Sequence, residues 1–111
     1  RIAPNGTFAW GANGVVLISG DMHYGEISRW PVADGGYPLW DITSSGLTEV
    51  WDVPTPNRQR ASAVLTETNF GLLDVDWARR QLTLSVCDGQ GQPRITQLLP
   101  LDQLQFNPPK A

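Results

Sequence analysis

Residues 70–99 have the sequence FGLLDVDWARRQLTLSVCDGQGQPRITQLL, and this stretch decides the fold class of the 111-residue chain. Leu73, Val75 and Trp77 alternate with acidic residues, a period of two that is typical of a strand with one buried face. A second alternating run covers residues 82–87, and the sequence DGQG that follows predicts a tight hairpin turn before a return strand at 94–99. The stretch therefore predicts an antiparallel meander of three strands.

The composition limits what the rest of the chain can be. It contains 11 glycines and 9 prolines, and its 8 Lys and Arg residues leave a net charge of -3. Frequent Gly and Pro favour turns over long helices. An acidic chain without clustered basic residues lacks the charge pattern of a nucleic-acid-binding protein. No stretch approaches the ~18 apolar residues of a transmembrane segment, and the length suits one domain.

Upstream of the meander, short extended segments alternate with turns. The apolar run Val15–Ser19 is bounded by glycines, which predicts a fully buried strand. Three further predictions follow along the chain: short strands at 24–30 and 38–43, a helical turn after the Ser-Ser-Gly of 44–46, and a long irregular loop at 52–68.

The residues best suited to chemistry follow the first strand directly. Gly20 allows the chain to bend, and Asp21 and His23 then place a carboxylate and an imidazole at the strand end. Metals in hydrolytic enzymes are often held by these two groups. His23 is the only histidine in the chain, so these two residues cannot complete a metal site. The alternatives are structural: His23 as a strand-end residue, and Asp21 as a turn former that accepts backbone hydrogen bonds.

Three stretches of the sequence also carry a family resemblance. They are SGDMHYGEISR at 19–29, YPLWDITSSGLT at 37–48 and NFGLLDVD at 69–76. Together they resemble the last metal-binding block, and the segments after it, of the alkaline phosphatase D (PhoD-like) branch of the calcineurin-like metallophosphoesterases. The resemblance implies a hydrolase with a dinuclear metal site. It also implies that His23 is a direct metal ligand and that Asp21 binds the second metal or orients another ligand.

The expected fold class is α+β, mostly β in this chain: the C-terminal part of a metallophosphoesterase β-sandwich flanked by helices, ending in the three-stranded meander. Residues 1–111 would be a C-terminal fragment of that domain, with a metal-ligand loop at 20–24, the long loop at 52–68 and the meander at 70–99. The family's other metal blocks need more histidines, and none follows His23. We therefore expect the chain to depend on an upstream remainder of the same protein and to be inactive alone.

The resemblance leaves the cofactor and substrate partly open. His and Asp suit Zn, Mn or Fe, and relatives in this branch differ, some of them using Ca. The substrate would be a phosphate mono- or diester, bound in part through Arg58 or Arg60 of the long loop unless these are ordinary solvated charges. The resemblance also suggests a periplasmic, secreted or cell-envelope enzyme.

The alternative is a non-enzymatic β-rich module that binds carbohydrate or protein through Trp30, Trp40 and Trp51.

Overall fold

The computed structural model describes residues 13–31 and 36–106, in which six strands form two three-stranded sheets. The strands are β1 (Val16–Ser19), β2 (Gly25–Trp30), β3 (Leu39–Ser44), β4 (Asn69–Asp76), β5 (Gln81–Asp88) and β6 (Pro93–Pro100), and one turn of 3-10 helix follows at Leu101–Gln103. These described residues include no α-helix, and none of them belongs to a helix long and apolar enough to cross a membrane. The expectation of a mostly-β chain is confirmed.

The second sheet has the order β4-β5-β6 and is antiparallel throughout. Its second hairpin turns where the sequence DGQG predicted, because the Asp88 carboxylate accepts hydrogen bonds from the amides of Gln90 and Gln92, each 3.0 Å long. Gly91 closes the turn with a φ of +80°, a conformation that glycine adopts without steric cost. The predicted three-stranded meander is therefore confirmed.

The first sheet has the order β1-β3-β2, with β1 parallel and β2 antiparallel to the central strand. Ile27 and Ile42 lie on its inner face and belong to one hydrophobic cluster with Leu84, Val86 and Leu99 of the second sheet. All five side chains are almost completely buried, and each contributes about 1.5–3 kcal/mol by its removal from water. The two sheets thus pack face to face.

The first strand is less buried than its apolar sequence predicts. β1 is the end strand of its sheet, and Ile18 is 73% exposed. A run of apolar residues is buried on both sides only when neighbours cover it, as is usual in parallel sheets. Within the described residues β1 has a strand on one side only, so the prediction of a fully buried strand is wrong for this chain taken by itself.

The same difference appears at β4, the end strand of the other sheet. Leu73, Val75 and Trp77, whose alternation predicted a buried face, are 39%, 40% and 75% exposed. Ile18 and Leu73 face one groove of about 250 Å³ between the sheets, and Val75 and Trp77 line a neighbouring one. We call this region, formed by the outer edges of β1 and β4 and by these four side chains, the open side of the sandwich.

The connections also differ in part from expectation. The helical turn predicted after residues 44–46 is absent, because residues 45–50 continue irregularly from β3. Residues 52–68 have no strand or helix, but two isolated bridges join them to β2, Arg60 to Ser28 and Leu65 to Gly25. This long segment therefore runs along the edge of β2 and covers it.

Candidate functional site

The candidate site lies at one end of the first sheet, where two parallel strands finish together. β1 and β3 run in the same direction, so Ser19 and Thr43 are neighbours at their carboxyl ends. The loop with Asp21 and His23 follows β1, and Ser45 follows β3. Carboxyl ends of parallel strands are the common location of ligand sites in sheets of this kind.

The backbone of this loop is held in an uncommon conformation. Asp21 has a φ of +71° and His23 a φ of +57°, both in the left-handed region. Asp and His enter this region more readily than most residues, yet such conformations persist only where neighbours fix them. Two contacts fix His23: its amide donates to Ser45 Oγ at 2.9 Å, and its carbonyl accepts from the Trp51 amide at 2.9 Å.

The His23 ring is oriented by the segment that covers β2. Its centroid lies 4.6 Å from that of the Trp51 ring, with the planes inclined by 45°. Its Nδ1 atom lies 3.8 Å from Glu49 Oε2, an ion-pair distance if the ring is protonated but beyond hydrogen-bond length. Nδ1 is buried and accepts or donates no hydrogen bond within the described part of the chain. The imidazole is thus held in place while this nitrogen stays uncommitted.

Asp21 differs from His23 in its surroundings. It is exposed, and its carboxylate has no ion pair with any of the residues described. The loop brings Asp21 and His23 to the same end of the sheet, as the sequence predicted. The structural alternative for Asp21 is a turn-forming role through backbone hydrogen bonds. Among the residues described, its carboxylate accepts no such bond.

These donors fit a metal ion only as part of a larger set. An imidazole with an uncommitted nitrogen and an exposed carboxylate are the right types of ligand for Zn, Mn or Fe. However, residues 13–31 and 36–106 contain no group of three or more His, Cys, Asp and Glu side chains that could hold an ion. The chain therefore offers a partial donor set.

The serines beside the site are engaged in structural contacts. Ser44 Oγ donates to the Asn69 side-chain oxygen at 2.8 Å, and Ser45 Oγ accepts the His23 amide. Asn69 is fully buried, and its amide group donates to the Glu67 carbonyl at 2.7 Å. These contacts connect the strand ends of the first sheet to the start of β4.

A polar cluster that sequence reasoning missed anchors the segment carrying Trp51. Glu26 is only 4% exposed and forms an ion pair with Arg60. Asn57 donates to Glu26 at 3.1 Å and to Ser28 at 2.8 Å, and Arg60 also donates to the Thr55 carbonyl at 2.7 Å. Arg60 is thus neither a solvated charge nor available to a phosphate, whereas Arg58 remains exposed.

The three tryptophans of the alternative hypothesis lie apart. By the β2–β3 register Trp30 is opposite Leu39 and Trp40 opposite Arg29, so the two indoles are on different faces of the first sheet. Trp40 packs with the Arg29 guanidinium 5.9 Å from its ring centroid. Trp51 contacts His23 at the other end of the sheet. The three rings do not form one stacking surface.

Comparison with known proteins yields no match to a family model, a curated protein or a solved structure.

Proposed function

We propose that this chain is the C-terminal portion of a metal-dependent phosphatase or phosphodiesterase of the alkaline phosphatase D kind. The observation that carries the proposal is the His23 loop. It lies at the shared carboxyl end of two parallel strands, its backbone is left-handed at Asp21 and His23, and the buried Nδ1 of His23 has no hydrogen-bond partner among the residues described. A strained loop around an uncommitted imidazole is typical of a functional site.

In this proposal His23 would hold one metal ion through a ring nitrogen, and the Asp21 carboxylate would hold the second ion or orient another ligand. Two bound ions would supply Lewis-acid polarisation of a phosphate ester and would lower the pKa of a water molecule toward neutrality. Trp51 fixes the plane of the imidazole, and the ion would be bound by Nδ1, the ring nitrogen that forms no hydrogen bond among the residues described. Zn, Mn, Fe and Ca all remain candidates for the metal.

The rest of the site would come from the upstream remainder of the same protein. The partial donor set and the open side of the sandwich both support a chain that belongs to a larger β-sandwich flanked by helices. Alone, the 111-residue chain would be inactive on phosphate mono- and diesters. The alternative, a carbohydrate- or protein-binding module, receives less support because its tryptophans share no surface.

The test is hydrolysis of nitrophenyl phosphate and bis-nitrophenyl phosphate by the complete protein, with metal content measured in parallel. His23→Ala should lower kcat/KM by roughly 100-fold or more, since even groups around a metal ligand can be worth 10–100-fold, and it should reduce the bound metal per chain. Gln90→Ala, in the exposed hairpin turn of the second sheet, is the control and should change neither quantity.

Two results would contradict the proposal. One is an unchanged metal content and rate in His23→Ala. The other is a complete protein that hydrolyses neither ester with Zn, Mn, Fe or Ca.

A further inference from the structure

Glu49 is the only acidic residue among those described whose carboxylate lies at ion-pair distance from the His23 ring. Its Oε2 atom is 3.8 Å from His23 Nδ1. The distance is too long for a hydrogen bond, and Nδ1 has no other polar partner in the part of the chain that the structure describes. Two potential metal donors therefore lie close together without bonding to each other.

The separation of these two atoms suits a shared metal ion. Nitrogen and oxygen ligands lie about 2.0–2.2 Å from a zinc ion, so two donors of one ion are at most about 4.2 Å apart. The observed 3.8 Å is within this limit. In an ideal tetrahedral site the two donors would be about 3.4 Å apart. The small approach that this requires is one that the Glu49 side chain, which is 73% exposed, can make.

The segment that carries Glu49 is fixed to the His23 loop on both sides of this residue. On one side, Ser45 Oγ accepts the His23 amide at 2.9 Å. On the other, the Trp51 amide donates to the His23 carbonyl at 2.9 Å, and the Trp51 ring lies against the imidazole. Glu49 is thus kept near the ring before any ion binds, and such preorganisation lowers the cost of binding.

The charge at this end of the first sheet also favours a cation. The one ion pair of Glu49 within the described ranges is with His23, which carries charge only when protonated. Asp21 of the same loop is exposed and unpaired there as well. Two carboxylates are therefore present without a Lys or Arg to balance them, and a divalent ion would supply that balance.

We propose that Glu49 is a direct ligand of the ion that His23 binds, through a carboxylate oxygen, while the imidazole binds through Nδ1. The inference rests on the proposed function in one respect, that an ion is bound at His23. It adds a ligand that the family resemblance does not assign, and it leaves Asp21 to the second ion. Further ligands would still be needed, since residues 13–31 and 36–106 hold no group of three such side chains.

Binding of Zn²⁺ to the complete protein, first stripped of metal with a chelator, tests the proposal. Glu49→Gln keeps the size of the side chain and removes its charged oxygen donor. The affinity for Zn²⁺ should fall by roughly 100-fold or more, since even groups around a metal ligand are worth 10–100-fold. The loss should be the same at about 0.1 M and about 1 M salt, because salt screens the attraction of an exposed charge and leaves a ligand bond in place.

Asp52→Asn is the matched control, because Asp52 is an exposed acidic residue directly after Trp51. It should leave the affinity for Zn²⁺ unchanged at both salt concentrations. The metal-free Glu49→Gln and natural proteins should unfold at the same urea concentration, which separates loss of a ligand from loss of structure.

Three results would overturn the proposal: a complete protein that binds no Zn²⁺, an unchanged affinity in Glu49→Gln, or a loss of affinity that disappears at high salt. If His23→Ala weakens Zn²⁺ binding and Glu49→Gln does not, only the role of Glu49 fails and the proposed function stands. If both variants weaken binding and the complete protein hydrolyses no phosphate ester, Glu49 is a ligand and the phosphoesterase assignment fails.

Discussion

Gly25, the first residue of β2, has no room for a side chain. A Cβ at this position would lie 2.5 Å from Val86 Cγ1 and 3.2 Å from the Asn69 side-chain oxygen. Both neighbours are completely buried and cannot move aside without disturbing the core. We therefore expect Gly25→Ala to lower the free energy of unfolding by about 1–3 kcal/mol, the usual cost of overpacking a core, as measured by urea denaturation.

Gly20→Ala is the matched control for this prediction. The nearest atom to a Cβ at Gly20 is the Ser45 Cβ at 3.8 Å, an ordinary contact distance. The substitution should change the free energy of unfolding by less than about 1 kcal/mol, and a small gain is expected from the reduced freedom of the unfolded chain. Equal losses in the two variants would contradict the argument from packing.

Some residues of the candidate site can be predicted from the sequence, and others cannot. Asp21 and His23 can be selected from the sequence because they follow an apolar run and a glycine. Glu49 and Trp51 cannot, because they meet His23 only after the segment 49–68 folds back along β2. The burial of Glu26 cannot be predicted from the sequence for the same reason, because Arg60, which pairs with it, is distant in the chain.

At the scale of elements, the Glu26–Arg60 pair is one of the contacts that hold the segment 49–68 on β2, together with four backbone hydrogen bonds between the two. The two side chains are 6% and 23% exposed. Arg60→Met should leave a buried carboxylate without its cation and lower the free energy of unfolding by about 2 kcal/mol. This is less than the roughly 3–5 kcal/mol of a deeply buried pair, because Asn57 still donates to Glu26. Urea denaturation measures the loss.

Arg58→Met provides the comparison, since Arg58 is exposed in the same segment. Its effect should stay within about 0.5 kcal/mol. Adding Glu26→Gln to Arg60→Met should recover part of the stability, because the buried charge is then removed. A double variant that is less stable than Arg60→Met would refute the role assigned to this pair.

The β5–β6 turn should make the stability depend on pH in the acid range. The amide of Gln92, then that of Gln90 and the Arg94 guanidinium, hold the pKa of Asp88 below its usual 3.8, against the opposing effect of burial. The ionised form therefore stabilises the folded chain above about pH 3.8, and this contribution is lost as the pH falls through the lower folded pKa. Asp88→Asn should flatten the dependence of the unfolding free energy on pH below about pH 4.

Arg94→Gln separates the two sources of this effect. It removes the guanidinium but keeps both backbone donors, so part of the pH dependence should remain. The unfolding free energies of Asp88→Asn and of the natural chain are measured at several pH values. If the two curves run parallel, the turn does not cause the dependence of stability on pH.

The elements themselves were predictable to different degrees. The meander follows from alternation and from turn residues that act within a few positions, so β4, β5 and β6 could be located from the sequence. Burial of β1 and β4 could not, because it depends on which strands lie beside them. Both are end strands of their sheets, and among the residues described no further strand lies beside them. The sequence therefore overestimated burial at the open side.

At the scale of the whole molecule, the open side determines how the chain behaves by itself. Ile18 and Leu73 line one groove and remain 73% and 39% exposed. Alone and at increasing concentration, the chain should self-associate and bind a fluorescent apolar dye. Replacing both residues with Thr, which a strand accepts, should weaken association by roughly 10-fold or more, since burying each apolar side chain is worth up to about 1.5–3 kcal/mol. Sedimentation velocity and dye fluorescence measure the two effects.

The same double substitution should have the opposite consequence in the complete protein. There the two side chains would be buried, so their replacement should lower the free energy of unfolding by about 2 kcal/mol or more. Val53→Thr is the control in both settings, because Val53 is 77% exposed and lies in the irregular segment that follows Trp51. It should change neither association nor stability. Two results together would contradict this argument: the chain alone stays monomeric and binds no dye, and the double substitution does not change the stability of the complete protein. The open side would then be an ordinary surface, and the two sheets would be stable without a further covering element.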